Sequence, residues 1–171
     1  NIEVTSEVGI GTTFVVEIPF EIAPPPEEFP VKEAAPSGDI HGLKLLLAED
    51  NELNADIAET LLTDAGAHVT IVKNGKKAVD CFEAAPPGTF DAILMDVMMP
   101  VMDGLAATRA IRAIPRADAR QIPILAMTAN AFEEDARQCL AAGMNVHLAK
   151  PLQMDKVLAA LMECCGKKRD L

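Results

Sequence analysis

The sequence predicts an α/β domain in which five parallel strands form a doubly wound sheet with helices on both faces. From residue 42 onward, short apolar runs alternate with segments of helical period. Glycine or proline ends several of those helical segments just before the next apolar run. Residues 90–95 are apolar almost throughout, as in a strand that is buried on both faces. Five such units in about 130 residues fit a doubly wound sheet with right-handed crossovers.

Each strand is assigned from an apolar run, and each helix from apolar residues that recur every three or four positions. The predicted strands are residues 43–48, 67–72, 90–95, 122–127 and 146–148. The predicted helices are residues 53–65, 76–84, 104–114, 131–142 and 154–164. Gly66, Pro86-Pro87-Gly88 and Gly143 follow the first, second and fourth of these helices. Such residues are typical stop signals for helices.

Two further segments precede this domain. Residues 2–5 and 12–18 are β-rich and flank Gly9-Ile10-Gly11, which predicts a hairpin in residues 1–22. A two-stranded hairpin is marginal alone in water, so we interpret it as the end of a preceding domain. Residues 23–40 combine prolines, acids and few apolar residues, which predicts an extended linker before a main domain at 41–171.

Composition excludes several functions. The net charge is −11, and no basic stripe is present that could neutralise phosphates, so we expect no nucleic-acid partner. The four cysteines lack the spacing of a zinc site, which favours reduced thiols and a cytoplasmic location. No apolar run approaches the roughly 20 residues that span a bilayer, so this piece is expected to make no membrane contact. A membrane anchor elsewhere in a parent protein stays open.

Polar residues follow four of the five predicted strands. Glu49 and Asp50 follow the first strand, Asp96 the third, Thr128 the fourth and Lys150 the fifth. The carboxyl ends of parallel strands meet at one edge of a sheet, so these side chains are expected to share a cleft. Carboxylates this close together favour a cation, and a set of oxygen ligands favours Mg²⁺. The sequence therefore predicts a Mg²⁺ site beside an ammonium and a hydroxyl.

The same residues also have structural interpretations. Asp50 with Asn51 precedes a helix and competes as its N-cap, and Thr128 competes as a cap in the same way. For Asp103, which precedes Gly104, capping of the third helix is the preferred interpretation. A single lysine such as Lys150 is most often a solvated surface charge. Their joint occurrence at four strand ends favours the site.

Four motifs occur in order along residues 42–164. They are Leu46-Leu47-Ala48-Glu49-Asp50-Asn51, Met95-Asp96-Val97-Met98-Met99-Pro100-Val101-Met102-Asp103-Gly104, Thr128-Ala129-Asn130-Ala131 and Lys150-Pro151. In this order and spacing, the region resembles the response-regulator receiver domain of two-component signalling. The resemblance implies a CheY-like, flavodoxin-like sheet with strand order 2-1-3-4-5 and five helices.

The resemblance also implies roles for individual residues. Asp96 would accept a phosphoryl group from a phosphohistidine, and Lys150 would pair with the phosphoryl oxygens. The implied Mg²⁺ ligands are Glu49, Asp50, Asp96 and the backbone carbonyl of Met98. Thr128 would act as a switch that shifts to bond a phosphoryl oxygen. His147 occupies the family's switch position, which is often aromatic, and the signal would leave through the fourth helix, fifth strand and fifth helix.

Residues 6–20 resemble the C-terminal hairpin of a histidine-kinase ATP-binding domain, which implies a hybrid sensor histidine kinase as the parent protein. The phosphodonor would be that kinase and the recipient a histidine phosphotransfer protein. This fragment lacks the kinase's catalytic motifs and is expected to act as a phosphoacceptor. An alternative is a phosphorylation-switched module that restrains its own kinase core or a partner. A third is a small-molecule binder that shares only the fold.

The first predicted helix offers a second interpretation of its apolar residues. Leu53, Ile57 and Leu61 recur at helical spacing and are candidates for docking the transfer partner. The same spacing is typical of a core-facing stripe. We expect at least two of the three to lie in the core.

Overall fold

The computed structural model describes residues 1–19, 40–129 and 133–166, which fall into two compact units. The first unit is an antiparallel hairpin of β1 (Ile2–Glu7) and β2 (Gly11–Val16). Its turn is closed by a 3.0 Å hydrogen bond from the Ile10 N–H to the Glu7 carbonyl, and Gly9 adopts a φ of 82° there. The predicted hairpin is confirmed. The predicted linker lies outside the described residues except for Ile40, which is buried in the second unit.

The second unit contains a five-stranded parallel sheet. Its strands are β3 (Lys44–Ala48), β4 (His68–Val72), β5 (Ala92–Asp96), β6 (Ile124–Thr128) and β7 (Val146–Ala149). They lie in the order β4-β3-β5-β6-β7, with every neighbouring pair parallel. Counted within this sheet alone, the order is 2-1-3-4-5. The predicted fold class is confirmed.

Six helices lie in the described part of the second unit. They are α1 (Glu52–Asp64), α2 (Gly75–Ala84), α3 (Gly104–Ala113), α4 (Ala117–Gln121), α5 (Glu133–Ala142) and α6 (Met154–Cys165). The five longer helices correspond to the five predicted ones, and α4 is an additional short helix. Within the described ranges, none of the helices has the length and apolar character that a membrane span requires.

Contacts of two arginines, some with residues distant in sequence, hold the short helix α4. Arg116 donates from Nη1 to the Ala85 carbonyl at 2.7 Å, and its guanidinium carbon lies 4.6 Å from the centre of the Phe82 ring. Arg116 also pairs with Asp118 at 3.0 Å, and Arg112 donates to the Ala119 carbonyl at 2.8 Å. The sequence did not predict α4 because these tertiary contacts, rather than a helical apolar period, stabilise it.

Both faces of the sheet are buried. Leu46, Ile93 and Met95 pack on the side of α2 and α3, whereas Leu45 and Leu94 pack with buried residues of α1 and α6 on the other. Burial on both sides explains the nearly continuous apolar runs. The central strand β5 is buried along its whole length and ends on Asp96, so the core leads directly into a carboxylate.

The prediction that at least two of Leu53, Ile57 and Leu61 lie in the core is wrong. Their exposed fractions are 69%, 51% and 40%. The residues that α1 buries instead are Ala55, Ala58 and Leu62. These three residues also recur at helical spacing, so α1 buries this stripe and leaves the larger apolar stripe beside it exposed.

Candidate functional site

The carboxylates predicted to converge lie at the carboxyl edge of the sheet. Parallel pairing aligns Ala48 of β3 with Met95 of β5, so the acids that follow are adjacent. Ligand oxygens of Glu49, Asp50 and Asp96 all lie within 4.8 Å of one another. Glu49 and Asp96 are only 3% and 4% exposed, whereas Asp50 is exposed. The site therefore combines two buried acids with one that faces solvent.

Lys150 joins the two buried acids. Its Nζ lies 2.6 Å from Glu49 Oε2 and 2.7 Å from Asp96 Oδ2. The backbone N–H of Lys150 donates to the Thr128 carbonyl at 2.7 Å, which fixes the residue just beyond the end of β7. The side chain therefore reaches from the edge strand across to β5 and β3.

Burial and pairing act in opposite directions on this cluster. Burial raises the pKa of the Asp96 carboxyl, and the hydrogen bonds from Lys150 and the Met98 N–H offset this only in part. Burial disfavours the Lys150 ammonium, but its hydrogen bonds and charge interactions with Asp96 and Glu49 outweigh burial and raise its pKa. One ammonium thus pairs with two of the three clustered carboxylates. Such a cluster favours a further cation.

The loop after Asp96 folds tightly against the end of β5. The Met98 N–H donates to Asp96 Oδ1 at 3.0 Å, and the Gly104 N–H donates to the Val97 carbonyl at 3.0 Å. A Cβ on Gly104 would lie 2.1 Å from the Asp96 carbonyl oxygen, so only glycine fits there. Val101, at the exposed tip, has a φ of 71°, a strained value for a β-branched residue.

The helix caps separate the alternatives left open by the sequence. Asn51 caps α1 by accepting a 3.1 Å hydrogen bond from the Asn54 N–H, which leaves the Asp50 side chain in the carboxylate cluster. Asp103 caps α3 by accepting a 2.7 Å bond from the Ala106 N–H, as predicted. A cap role for Thr128 would involve residues 130–132, which lie outside the described residues.

The two predicted switch residues lie on neighbouring strands. Thr128 is the last residue of β6 and is 4% exposed. His147 lies on β7 opposite Ala126 and is partly buried. It lines a groove of about 360 Å³ together with Lys150 and Lys156. The two residues thus lie on β6 and β7, the last two strands in the sheet order, and Lys150 directly follows β7.

Sequence reasoning missed one residue of the site and the shape of a neighbouring groove. Asn54 Nδ2 donates to Glu49 Oε1 at 3.2 Å. A groove of about 400 Å³ begins at Glu49 and Lys150 and continues between apolar side chains that include Ile57, Leu61, Leu152 and Met154. Helical spacing signalled the α1 part of this groove, but nothing in the sequence signalled Asn54.

The response regulator receiver domain family matches residues 45–162. The chain belongs to this family. The receiver domain of sensor histidine kinase PA1611 from Pseudomonas aeruginosa is 43% identical, with a TM-score of 0.66 over 73% of this chain and 98% of that one. That crystal structure holds a magnesium ion coordinated in its active site cleft.

Two further relatives extend the comparison of this receiver domain. The aerobic respiration control sensor protein ArcB of Escherichia coli is 37% identical over 164 residues, which cover 94% of this chain and 20% of ArcB. The receiver domain of Ssk1 from Saccharomyces cerevisiae, crystallised with the histidine phosphotransfer protein Ypd1, matches with 26% identity and a TM-score of 0.66, over 75% of this chain and 92% of that one. The chain spans a fifth or less of the curated histidine kinases it matches, which include hybrid kinases.

Proposed function

We propose that this receiver domain accepts a phosphoryl group on Asp96 from a phosphohistidine and passes it to a histidine phosphotransfer protein. The observation that carries the proposal is the bridging of buried Glu49 and Asp96 by one ammonium, from Lys150, next to exposed Asp50. A purely structural pair would need only one carboxylate. The excess of acids suits a site that receives a cation and an anionic group together.

The chain's own groups suit an in-line displacement at phosphorus. A carboxylate oxygen of Asp96 forms the new P–O bond while the P–N bond to the donor imidazole breaks, and the imidazole leaves with the electron pair. The N–H of Met98 and the ammonium of Lys150 orient the Asp96 carboxylate. Lys150 then pairs with a phosphoryl oxygen, and the Thr128 hydroxyl bonds another.

Mg²⁺ fits the donor set of the site. The candidate ligands are the carboxylates of Glu49, Asp50 and Asp96, with no nitrogen or sulfur ligand among them. The backbone carbonyl of Met98 would complete the protein ligands. When bound, the ion supplies positive charge that neutralises the phosphoryl oxygens. The magnesium ion in the PA1611 receiver supports this assignment.

The apolar surface beside the site supports a protein partner. Leu53, Ile57 and Leu61 form an exposed stripe on α1, and the latter two line the groove that begins at Glu49 and Lys150. A docked partner would cover apolar side chains next to Asp96 and bring its histidine to the carboxylate. The Ssk1 receiver crystallised with Ypd1 supports a histidine phosphotransfer protein as the class of partner.

The hairpin supports a parent kinase. Cross-strand neighbours Ile2 and Val16, and Val4 and Phe14, share one face of the hairpin and are all exposed. Such a face is expected to be covered by further strands or helices. The match to ArcB covers 94% of this chain, which supports a kinase ATP-binding domain ending in residues 1–22 before a linker at 23–40 and a receiver at 41–171. The spacing of the four cysteines matches neither a disulfide framework nor a zinc site, which favours a cytoplasmic location.

Labelling by acetyl phosphate tests the acceptor. We expect Mg²⁺-dependent incorporation of phosphate into the purified chain and its loss in Asp96→Asn. Asp103→Asn is the matched control, because Asp103 caps α3, and this variant should label normally. Labelling that survives Asp96→Asn would refute the acceptor assignment.

Transfer to a histidine phosphotransfer protein tests the relay. The phosphorylated chain should lose its label to such a protein in minutes. If no histidine phosphotransfer protein removes the label, the alternative of a phosphorylation-switched regulatory module replaces the relay.

A further inference from the structure

Asn54 holds one oxygen of the Glu49 carboxylate. Its Nδ2 donates to Glu49 Oε1 at 3.2 Å, and the Asn51 N–H approaches the same oxygen at 3.4 Å. The other oxygen, Oε2, pairs with Lys150. Because an ionised carboxylate only accepts hydrogen bonds, the amide must present its NH₂ group to Glu49. Both oxygens of Glu49 are therefore restrained.

Helix formation does not explain an asparagine at position 54. Asn54 is the third residue of α1, and its backbone N–H donates to the side-chain oxygen of the N-cap, Asn51. Any residue other than proline could provide that backbone N–H. Asparagine is a poorer helix former than alanine or leucine. The side chain instead reaches back to the carboxylate that precedes the helix, so its interaction with Glu49 is the feature that distinguishes it.

We propose that Asn54 is a positioning residue that fixes the Glu49 carboxylate in the orientation in which Glu49, Asp50 and Asp96 present their oxygens together. The inference rests on the proposed role of these acids as Mg²⁺ ligands. A glutamate side chain that is already fixed loses less conformational entropy when it binds an ion. Partners that orient metal ligands in this way commonly contribute tenfold or more to metal affinity.

The choice of ion distinguishes positioning from a general structural effect. Mg²⁺ demands near-octahedral geometry, whereas Ca²⁺ accepts flexible and irregular ligand sets. Freeing Glu49 should therefore weaken Mg²⁺ binding more than Ca²⁺ binding. A change that merely loosened α1 or altered the net charge would act on both ions alike.

Asn54→Leu is the informative variant, because leucine is similar in size, favours helix and lacks the donor. By titration calorimetry with MgCl₂ and CaCl₂, we expect the Kd for Mg²⁺ to rise about tenfold. The ratio of the Ca²⁺ Kd to the Mg²⁺ Kd should fall. Asn54→Gln, which keeps the amide on a longer arm, should recover part of the affinity. If Asn54→Leu fails to fold, Asn54→Ala serves instead.

Thr60→Ala is the matched control on α1. Its hydroxyl donates to the Asp56 carbonyl at 2.8 Å and makes no contact with the carboxylate cluster within the described residues, so the affinity for Mg²⁺ should stay unchanged. Wild-type affinities and an unchanged ion ratio in Asn54→Leu would overturn the inference, as would an equal loss for both ions. A wild-type chain that binds no Mg²⁺ would instead overturn the proposed function on which the inference rests.

Discussion

Lys150 and Asp96 lie 54 positions apart in the sequence, and their side chains meet at 2.7 Å. The same ammonium contacts Glu49 at 2.6 Å, so one cation holds two buried carboxylates in place. Their burial makes the pair expensive to break, because removal of the ammonium leaves two acids facing each other. Lys150 therefore stabilises the resting domain, in addition to its proposed role in phosphoryl transfer.

Lys150→Met should destabilise the metal-free domain by about 1–3 kcal/mol, because the buried carboxylates lose their cation. Mg²⁺ should then raise the melting temperature of the variant more than that of the wild type, because the ion replaces the missing charge. Circular dichroism melts with and without MgCl₂ measure both effects. Lys156→Met is the control, since Lys156 is exposed and lines, with Lys150, the groove of about 360 Å³ beside His147. Equal melting behaviour of both variants would contradict the assigned role.

Replacing the adjacent leucines Leu61 and Leu62 of α1 by alanine should affect different properties, phosphotransfer for Leu61 and stability for Leu62. Leu62 is fully buried, so Leu62→Ala should cost about 2–5 kcal/mol in the free energy of unfolding. Leu61 is exposed, and Leu61→Ala combined with Ile57→Ala should leave stability within about 1 kcal/mol of the wild type. The same double variant should slow transfer to a histidine phosphotransfer protein roughly tenfold, which corresponds to about 1.4 kcal/mol. Unchanged transfer would argue that α1 is not the docking surface.

Gly104→Ala should damage both the fold and the site. The new Cβ would lie 2.1 Å from the Asp96 carbonyl oxygen, so the loop or the strand end must move. We expect a loss of about 1–3 kcal/mol and weaker Mg²⁺ binding. Gly166→Ala is the control and should be nearly neutral, because no described residue lies within 4 Å of the added Cβ. If Gly104→Ala is as stable as the control, the end of β5 can move away from the added Cβ at little cost, which would contradict the expected loss.

The Arg116 and Asp118 pair should contribute a pH-dependent stability. Burial raises the pKa of Asp118, but hydrogen bonds from Arg116 and the Gly88 N–H outweigh it and hold the pKa below its ordinary value. A lowered carboxyl pKa stabilises the fold at neutral pH, and this stabilisation declines as the pH falls below about 4. Asp118→Asn should cost up to about 1 kcal/mol at pH 7 by urea unfolding. A cost that persists after the carboxyl is protonated would exclude the ion pair as its cause.

The sequence predicted the sheet and the clustered acids because apolar runs mark the strands, and the polar residues that follow those runs meet at one edge of a parallel sheet. The short apolar run that ends in Asp96 and is followed by Pro100 and Gly104 predicts a buried strand with an acid at its end, and parallel order brings Lys150 to the same edge. Helical spacing of Leu53, Ile57 and Leu61 defined a stripe, but not whether that stripe or the neighbouring alanines would meet the sheet. The short helix α4 escaped prediction because Arg116 finds its partners at Phe82 and Ala85, about 30 positions away. The bond between Asn54 and Glu49 depends on side-chain geometry that spacing alone does not encode.

Chemical trapping of the phosphorylated residue tests the central claim most directly. After incubation with acetyl phosphate and Mg²⁺, borohydride reduces an aspartyl phosphate to homoserine, and peptide mass spectrometry locates the reduced position. We expect reduction at Asp96 that depends on Mg²⁺ and is absent when the ion is chelated. Reduction at Asp50 or Asp103, or no reduction at position 96 in a folded and Mg²⁺-loaded chain, would contradict it.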